Sequence, residues 1–185
     1  MPLSRRAVLG AGAASAVALL AGCTGDWGIN GTKVLFIGNS FTDFNGGLDG
    51  MLKQLAPRTE AARISPGGSN LQQHSVSDEH ASSLKTGGWQ YVVLQDQSQF
   101  PVMEPEQFMA GASAMVAKIR TTKATRMFLA TWGRPDSPGV TSESLDAAYR
   151  SMGDRLLVSV IPAHGGLSAD VAQHLQKMAA KVTGH

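Results

Sequence analysis

Ser40 is the side chain whose type and setting best suit covalent chemistry in this 185-residue sequence. It stands in Gly38-Asn39-Ser40-Phe41-Thr42, directly after the apolar run Lys33 to Gly38 (KVLFIG). A serine at a strand-to-loop corner projects its hydroxyl from the end of a sheet, and a glycine just before it permits a tight backbone path. A Ser or Asn capping the next helix would leave the same trace, and spacing alone keeps both readings open. A serine hydroxyl becomes a useful nucleophile when a neighbouring base, most often a histidine, takes its proton. The five histidines (His74, His80, His164, His174 and His185) are scattered without metal-ligand spacing, so neither a metal nor a cofactor is expected.

The elements that must position Ser40 follow from periodicity. Lys33 to Gly38, Ala61 to Ser65, Trp89 to Gln95, Arg126 to Thr131 and Leu156 to Ile161 read as five strands. Between them lie amphipathic stripes: Leu48/Met51/Leu52/Leu55, a short helix Asp78 to Lys85, Phe108/Met109/Ala112/Met115/Val116/Ile119, and Ser142 to Arg155. Val171/Leu175/Met178/Ala179/Val182 would close the domain as a last helix. Strands alternating with helices predict an α/β fold, a three-layer α/β/α sandwich around a mostly parallel five-stranded sheet. Ligands gather at the carboxyl ends of such strands, where the loops read GNSFTDFNGG, SPGGSN, QDQSQFP, TWGRPDSPG and PAHGGLS. Trp132, in the fourth loop, either edges the cleft or packs in the core.

Three of these loops resemble the SGNH (GDSL-like) hydrolase superfamily over about Lys33 to Tyr149. The run FIGNSFTD is similar to its first block, in a bacterial branch with asparagine before the serine. Gly67-Gly68-Ser69-Asn70-Leu71-Gln72-Gln73-His74 resembles the GG-x-x-L-x-x-H stretch after the second strand, and Gln95-Asp96-Gln97-Ser98 a Gln-x-Gln-Ser variant of the third block. The resemblance implies an esterase acting on a small-molecule or carbohydrate ester, with acetyl or other acyl groups as what it removes. Ser40 would be the nucleophile, and the oxyanion hole would be the backbone N–H of Ser40, the backbone N–H of Gly68 and the side-chain amide of Gln97. Gly68 also reads as a plain turn glycine and Gln97 as a surface glutamine. His74 reads as a hydrogen-bonding histidine rather than the base, since its block carries the oxyanion glycine. The superfamily's Asp-x-x-His before the last helix is missing. His164, the Asp170/His174 pair and, less favourably placed, His185 are the candidates for the base. A shortened reading frame, a variant triad and a serine site that binds without turnover all remain open, the last being a non-catalytic binding lipoprotein. A flavodoxin-like FMN module is disfavoured, because Gly38 to Thr42 is too sparse in Ser, Thr and Gly to cradle a phosphate.

Residues 1–23 read as an address rather than as part of the fold. Arg5-Arg6 resembles a twin-arginine export signal and precedes Ala7 to Ala21, an uncharged stretch too short to span a bilayer; Leu20-Ala21-Gly22-Cys23 resembles a bacterial lipobox. The expectation is an exported protein, lipid-anchored at Cys23 to the outer face of the cell membrane, with residues 24–31 as a linker and 32–185 as the domain. The net charge is +2, from 16 basic and 14 acidic residues; without Arg5 and Arg6 the count is 14 against 14. That balance leaves no basic stripe for nucleic acid. One cysteine permits no internal disulfide.

Overall fold

The computed structural model describes residues 31–162 and Lys177; the leader, Cys23, His164, Asp170, His174, His185 and the expected closing helix lie outside the described residues. Five strands, β1 (Lys33–Ile37), β2 (Glu60–Ile64), β3 (Tyr91–Leu94), β4 (Thr125–Leu129) and β5 (Ser159–Ile161), form one sheet in the order β2-β1-β3-β4-β5, with every neighbouring pair parallel. The central strands β1 and β3 are almost wholly apolar because both faces are covered. Leu35, Ile37, Val92, Leu94 and Phe128 face one hydrophobic cluster, while Val34, Phe36, Val93, Met127 and Leu129 face the other.

The helices are α1 (Ser40–Asp43), α2 (Leu48–Leu55), α3 (Leu71–Val76), α4 (Asp78–Thr86), α5 (Phe100–Met103), α6 (Pro105–Arg120) and α7 (Ser142–Leu156). Leu71, Leu84, Phe108, Met115 and Tyr149 bring α3, α4, α6 and α7 onto the first face; Leu48 and Leu52 bring α2 onto the second. The chain leaves β1 toward β2 on one side and comes back to β3 on the other. The crevice above the carboxyl ends of β1 and β3 is therefore the topological switch point of the sheet, where open α/β folds place ligands.

Two details depart from the sequence expectation. Leu156 ends α7 instead of opening the fifth strand, and Leu157, exposed and left-handed (φ 54°), caps the helix so that β5 starts at Ser159. The second is α3, which, like the four-residue α1 and α5, the periodicity did not predict: its buried side chains are Leu71, His74 and Ser75, only one of them apolar.

The contact of α3 with α6 is close enough to exclude a side chain. A Cβ on Gly111 would lie 2.5 Å from the Gln72 backbone nitrogen and 2.8 Å from the Leu71 carbonyl carbon. Gly111→Ala should therefore destabilise the fold by about 2 to 3 kcal/mol through overpacking. A thermal melt checks it: an unfolding midpoint lowered by roughly 5 to 10 °C is expected, and an unchanged one would contradict the packing described.

Candidate active site

Asn39 holds the site together. Its side chain is 2% exposed. Asn39 Nδ2 donates to the Ser69 carbonyl (2.9 Å) and to the Asp96 carbonyl (3.2 Å). Asn39 Oδ1 accepts from the Phe41 N–H and from Gln95 Nε2, both at 3.1 Å. Ser40 follows Asn39, Gly68 precedes Ser69, and Gln97 follows Asp96. One amide thus clamps three loops, and each of the three site residues expected from the sequence sits next to a residue of the clamp.

Gly38 makes the clamp sterically possible. A Cβ there would collide with Thr42 Oγ1 and Gln95 Oε1, which pack against the backbone at the end of β1. Gln95 Oε1 accepts from the Asn39 N–H (3.1 Å) and from Thr42 Oγ1 (2.9 Å), fixing the first turn of α1. Ser40 is the first residue of that turn and is exposed. Among the described residues, no side chain is hydrogen-bonded to its hydroxyl.

Gly68 lies in the turn after β2 at φ +72°, a conformation that glycine adopts without strain. The turn is locked onto β1: Ser69 Oγ lies 2.9 Å from the Gly38 carbonyl and 2.7 Å from the Pro66 carbonyl. Gln97 is half-buried, and its Oε1 accepts from the backbone N–H groups of Gln99 (2.8 Å) and Phe100 (3.2 Å). With the oxygen occupied by the first turn of α5, the Nε2 end remains as donor.

Both ring nitrogens of His74 are engaged away from the Ser40 hydroxyl. The residue is 1% exposed. Its Nε2 donates to the Gly38 carbonyl (2.8 Å), with Ser69 Oγ at 3.0 Å, and its Nδ1 lies 3.1 Å from Nδ1 of His80. With Nε2 protonated, Nδ1 of the neutral ring accepts from His80. Desolvation pushes the His74 pKa down to about 4, so the ring is neutral at pH 7.

Asp96 and Tyr149 are supports that the sequence did not disclose. Asp96 Oδ1 accepts from the N–H groups of Leu71 (2.9 Å) and Gln97 (2.7 Å), joining the start of α3 to the third loop. Burial raises its pKa to about 6, against the lowering effect of those two N–H donors. The Asp96 N–H donates to the hydroxyl of Tyr149 (3.0 Å), fully buried on α7. Thr131 Oγ1 donates to the Ser98 carbonyl (2.8 Å), which ties in the fourth loop. The signal for α3 was present in the sequence as Asn70-x-x-Gln73, a capping box. Nothing local marks the Tyr149 hydroxyl, whose partner lies 53 residues away.

Trp132 edges the cleft rather than filling the core. Its ring stacks on Phe41 at 4.4 Å between centroids and 16° between planes. Among the described residues, no three of His, Cys, Asp and Glu converge as a metal set, and no helix is long and apolar enough to cross a membrane.

No protein-family model and no curated protein matches the chain. Solved structures do match. A candidate SGNH hydrolase from Slackia heliotrinireducens superposes with a TM-score of 0.66 at 18% identity, over 83% of this chain and 100% of that one. Esterase EstA from Pseudoalteromonas sp. gives 0.56 at 10% identity, over 82% and 95%. An acetylxylan esterase from Geobacillus stearothermophilus gives 0.52 at 13%, over 84% and 95%. The fold is that of the SGNH hydrolases. The all-parallel sheet and its flanking helices agree with the α/β class expected from the sequence, and the strand ends of the SGNH-like fold carry Ser40, Gly68 and Gln97.

Proposed function

We propose that the protein is a serine esterase in which Ser40 attacks an ester carbonyl. The observation that carries this reading is the Asn39 clamp, which brings the neighbours of Ser40, Gly68 and Gln97 within hydrogen-bond distance of one buried amide. In the tetrahedral intermediate the carbonyl oxygen would accept from the backbone N–H groups of Ser40 and Gly68 and from Gln97 Nε2. Donors held in place beforehand stabilise that charge without reorganising, which supplies a large share of the rate. Ser40 at the first position of α1 adds a backbone N–H without an intrahelical acceptor. The proton acceptor is assigned to a histidine after β5, His164 or His174, since both ring nitrogens of His74 are engaged elsewhere. Acyl-Ser40 then forms as the alcohol leaves, and water releases the acid.

The leader supports a location outside the cell, with an anchor through Cys23 to the outer face of the membrane, and the substrate is a small-molecule or carbohydrate ester. Esterase neighbours, one of them an acetylxylan esterase, support that class of substrate. The test is p-nitrophenyl acetate turnover by the full chain and by Ser40→Ala. Turnover that falls at least a hundredfold in the variant is expected; equal rates, or none in either protein, would overturn the reading.

A further inference from the structure

Next to Ser40 lies a cleft of about 490 Å³, lined among the described residues by Ser40, Phe41, Phe44, Asn45, Leu48, Met51 and Trp132. That volume falls within the range of small-molecule sites, roughly 300 to 1,000 Å³. Its wall is apolar except for Ser40 and Asn45. A sugar ring would need several hydrogen-bond partners there, and one face of Trp132 is already covered by Phe41.

The wall is also built rather than incidental. Phe44 is 71% exposed, an unusual place for a large apolar ring. The three residues after it all have positive φ: Asn45 at 53°, Gly46 at 87° and Gly47 at 81°. This left-handed turn is braced by Arg63, whose Nε donates to Asp43 (2.7 Å) and whose Nη1 donates to the Gly46 carbonyl (3.3 Å) and to the Asp49 carboxylate. A left-handed turn pinned from β2 presents an aromatic ring at the mouth of an apolar cleft that opens on the candidate nucleophile.

We infer that this cleft binds a medium-length linear aliphatic chain carried by the ester that Ser40 attacks. The inference rests on the esterase reading for its chemistry, but the binding it requires is measurable separately. Each methylene that enters the cleft adds transfer free energy worth about fourfold in kcat/KM. The preferred substrates are then butyryl to octanoyl esters rather than acetyl esters, or the matching alkyl acetates if the chain is held on the alcohol side.

The experiment compares p-nitrophenyl acetate, butyrate, hexanoate and octanoate, and in parallel ethyl, butyl and hexyl acetate, with the full chain. Calorimetry of acetate and hexanoate binding to the same protein is added. The expected result is a rise of about fourfold per methylene in one series, tighter binding of hexanoate than acetate, and loss of both trends in Met51→Trp, which fills the cleft. Phe44→Asp serves as a second variant: its side chain is on the surface, so folding survives, and both trends should weaken. A flat or falling dependence in both series overturns the inference while leaving Ser40 catalysis standing. Should no ester turn over, the esterase reading fails, and calorimetry decides the cleft: equal binding of acetate and hexanoate overturns it, whereas a hexanoate preference removed by Met51→Trp supports it.

Discussion

Asn39→Asp is expected to remove Ser40-dependent turnover and to destabilise the fold by about 3 to 5 kcal/mol at neutral pH. The two side chains are isosteric, so the effect is one of hydrogen-bond polarity. Nδ2 of Asn39 points at two carbonyl oxygens, those of Ser69 and Asp96. A carboxylate would set a buried negative oxygen against both, leaving each acceptor without its donor. The first block of the SGNH superfamily admits aspartate at this position; here the two carbonyls require an N–H. A proton on the new carboxyl would restore one donor. Its pKa in the folded protein is therefore raised, and the penalty should shrink as pH falls. Denaturant unfolding of variant and wild type at neutral and acid pH checks this. A variant as stable as wild type at pH 7 would mean that Asn39 does not clamp the loops.

The second large effect is hidden in the native protein because two buried groups oppose each other. His74 has a pKa of about 4 in the fold against about 6.5 unfolded. The unfolded chain binds the extra proton, so this contribution is complete above pH 6.5 and is lost as pH falls toward 4. Asp96 has a pKa of about 6 against about 3.9 unfolded. Here the folded state binds the proton, so its contribution is present below pH 4 and is lost as pH rises through 6. Each amounts to about 3 kcal/mol over nearly the same window, with opposite sign. Asp96→Asn keeps the acceptor for Leu71 and Gln97 but removes the titration. Relative to wild type, its stability should drop by about 3 kcal/mol between pH 6.5 and 4. His74→Gln should do the reverse and gain a similar amount on acidification. Urea midpoints across that range measure both, and parallel profiles for wild type and the two variants would contradict the burial assigned to these groups.

Much of the architecture is legible in the sequence because buried parallel strands have no polar face to confuse the reading. Past Lys33, KVLFI is apolar and fully buried, as YVVL is throughout its length, and the glycines and polar loops around them mark where each strand ends. Boundaries blur where packing decides them: Leu156 and Leu157 look like strand residues, yet one ends α7 and the other is 82% exposed as its left-handed cap. At the site, Ser40, Gly68 and Gln97 were readable as three loops at strand ends. What binds those loops to one another was not. Gln95 contributes its side chain to bonds with residues 53 and 56 positions away, and Tyr149 reaches Asp96 from a helix whose stripe reads as ordinary core. Such contacts depend on which strands become neighbours, and a linear pattern carries no record of it.

The clamp around Asn39 also sets an order of events. During synthesis the serine leaves the ribosome early, whereas the carbonyls that anchor its neighbours belong to Ser69 and Asp96. Until the chain has been made through Gln97 and the first three strands have come together, the hydroxyl stands alone, without the donors that the proposed chemistry needs. A nascent chain would therefore be harmless to the esters around it, and the reactive centre would come into being only with the finished sheet.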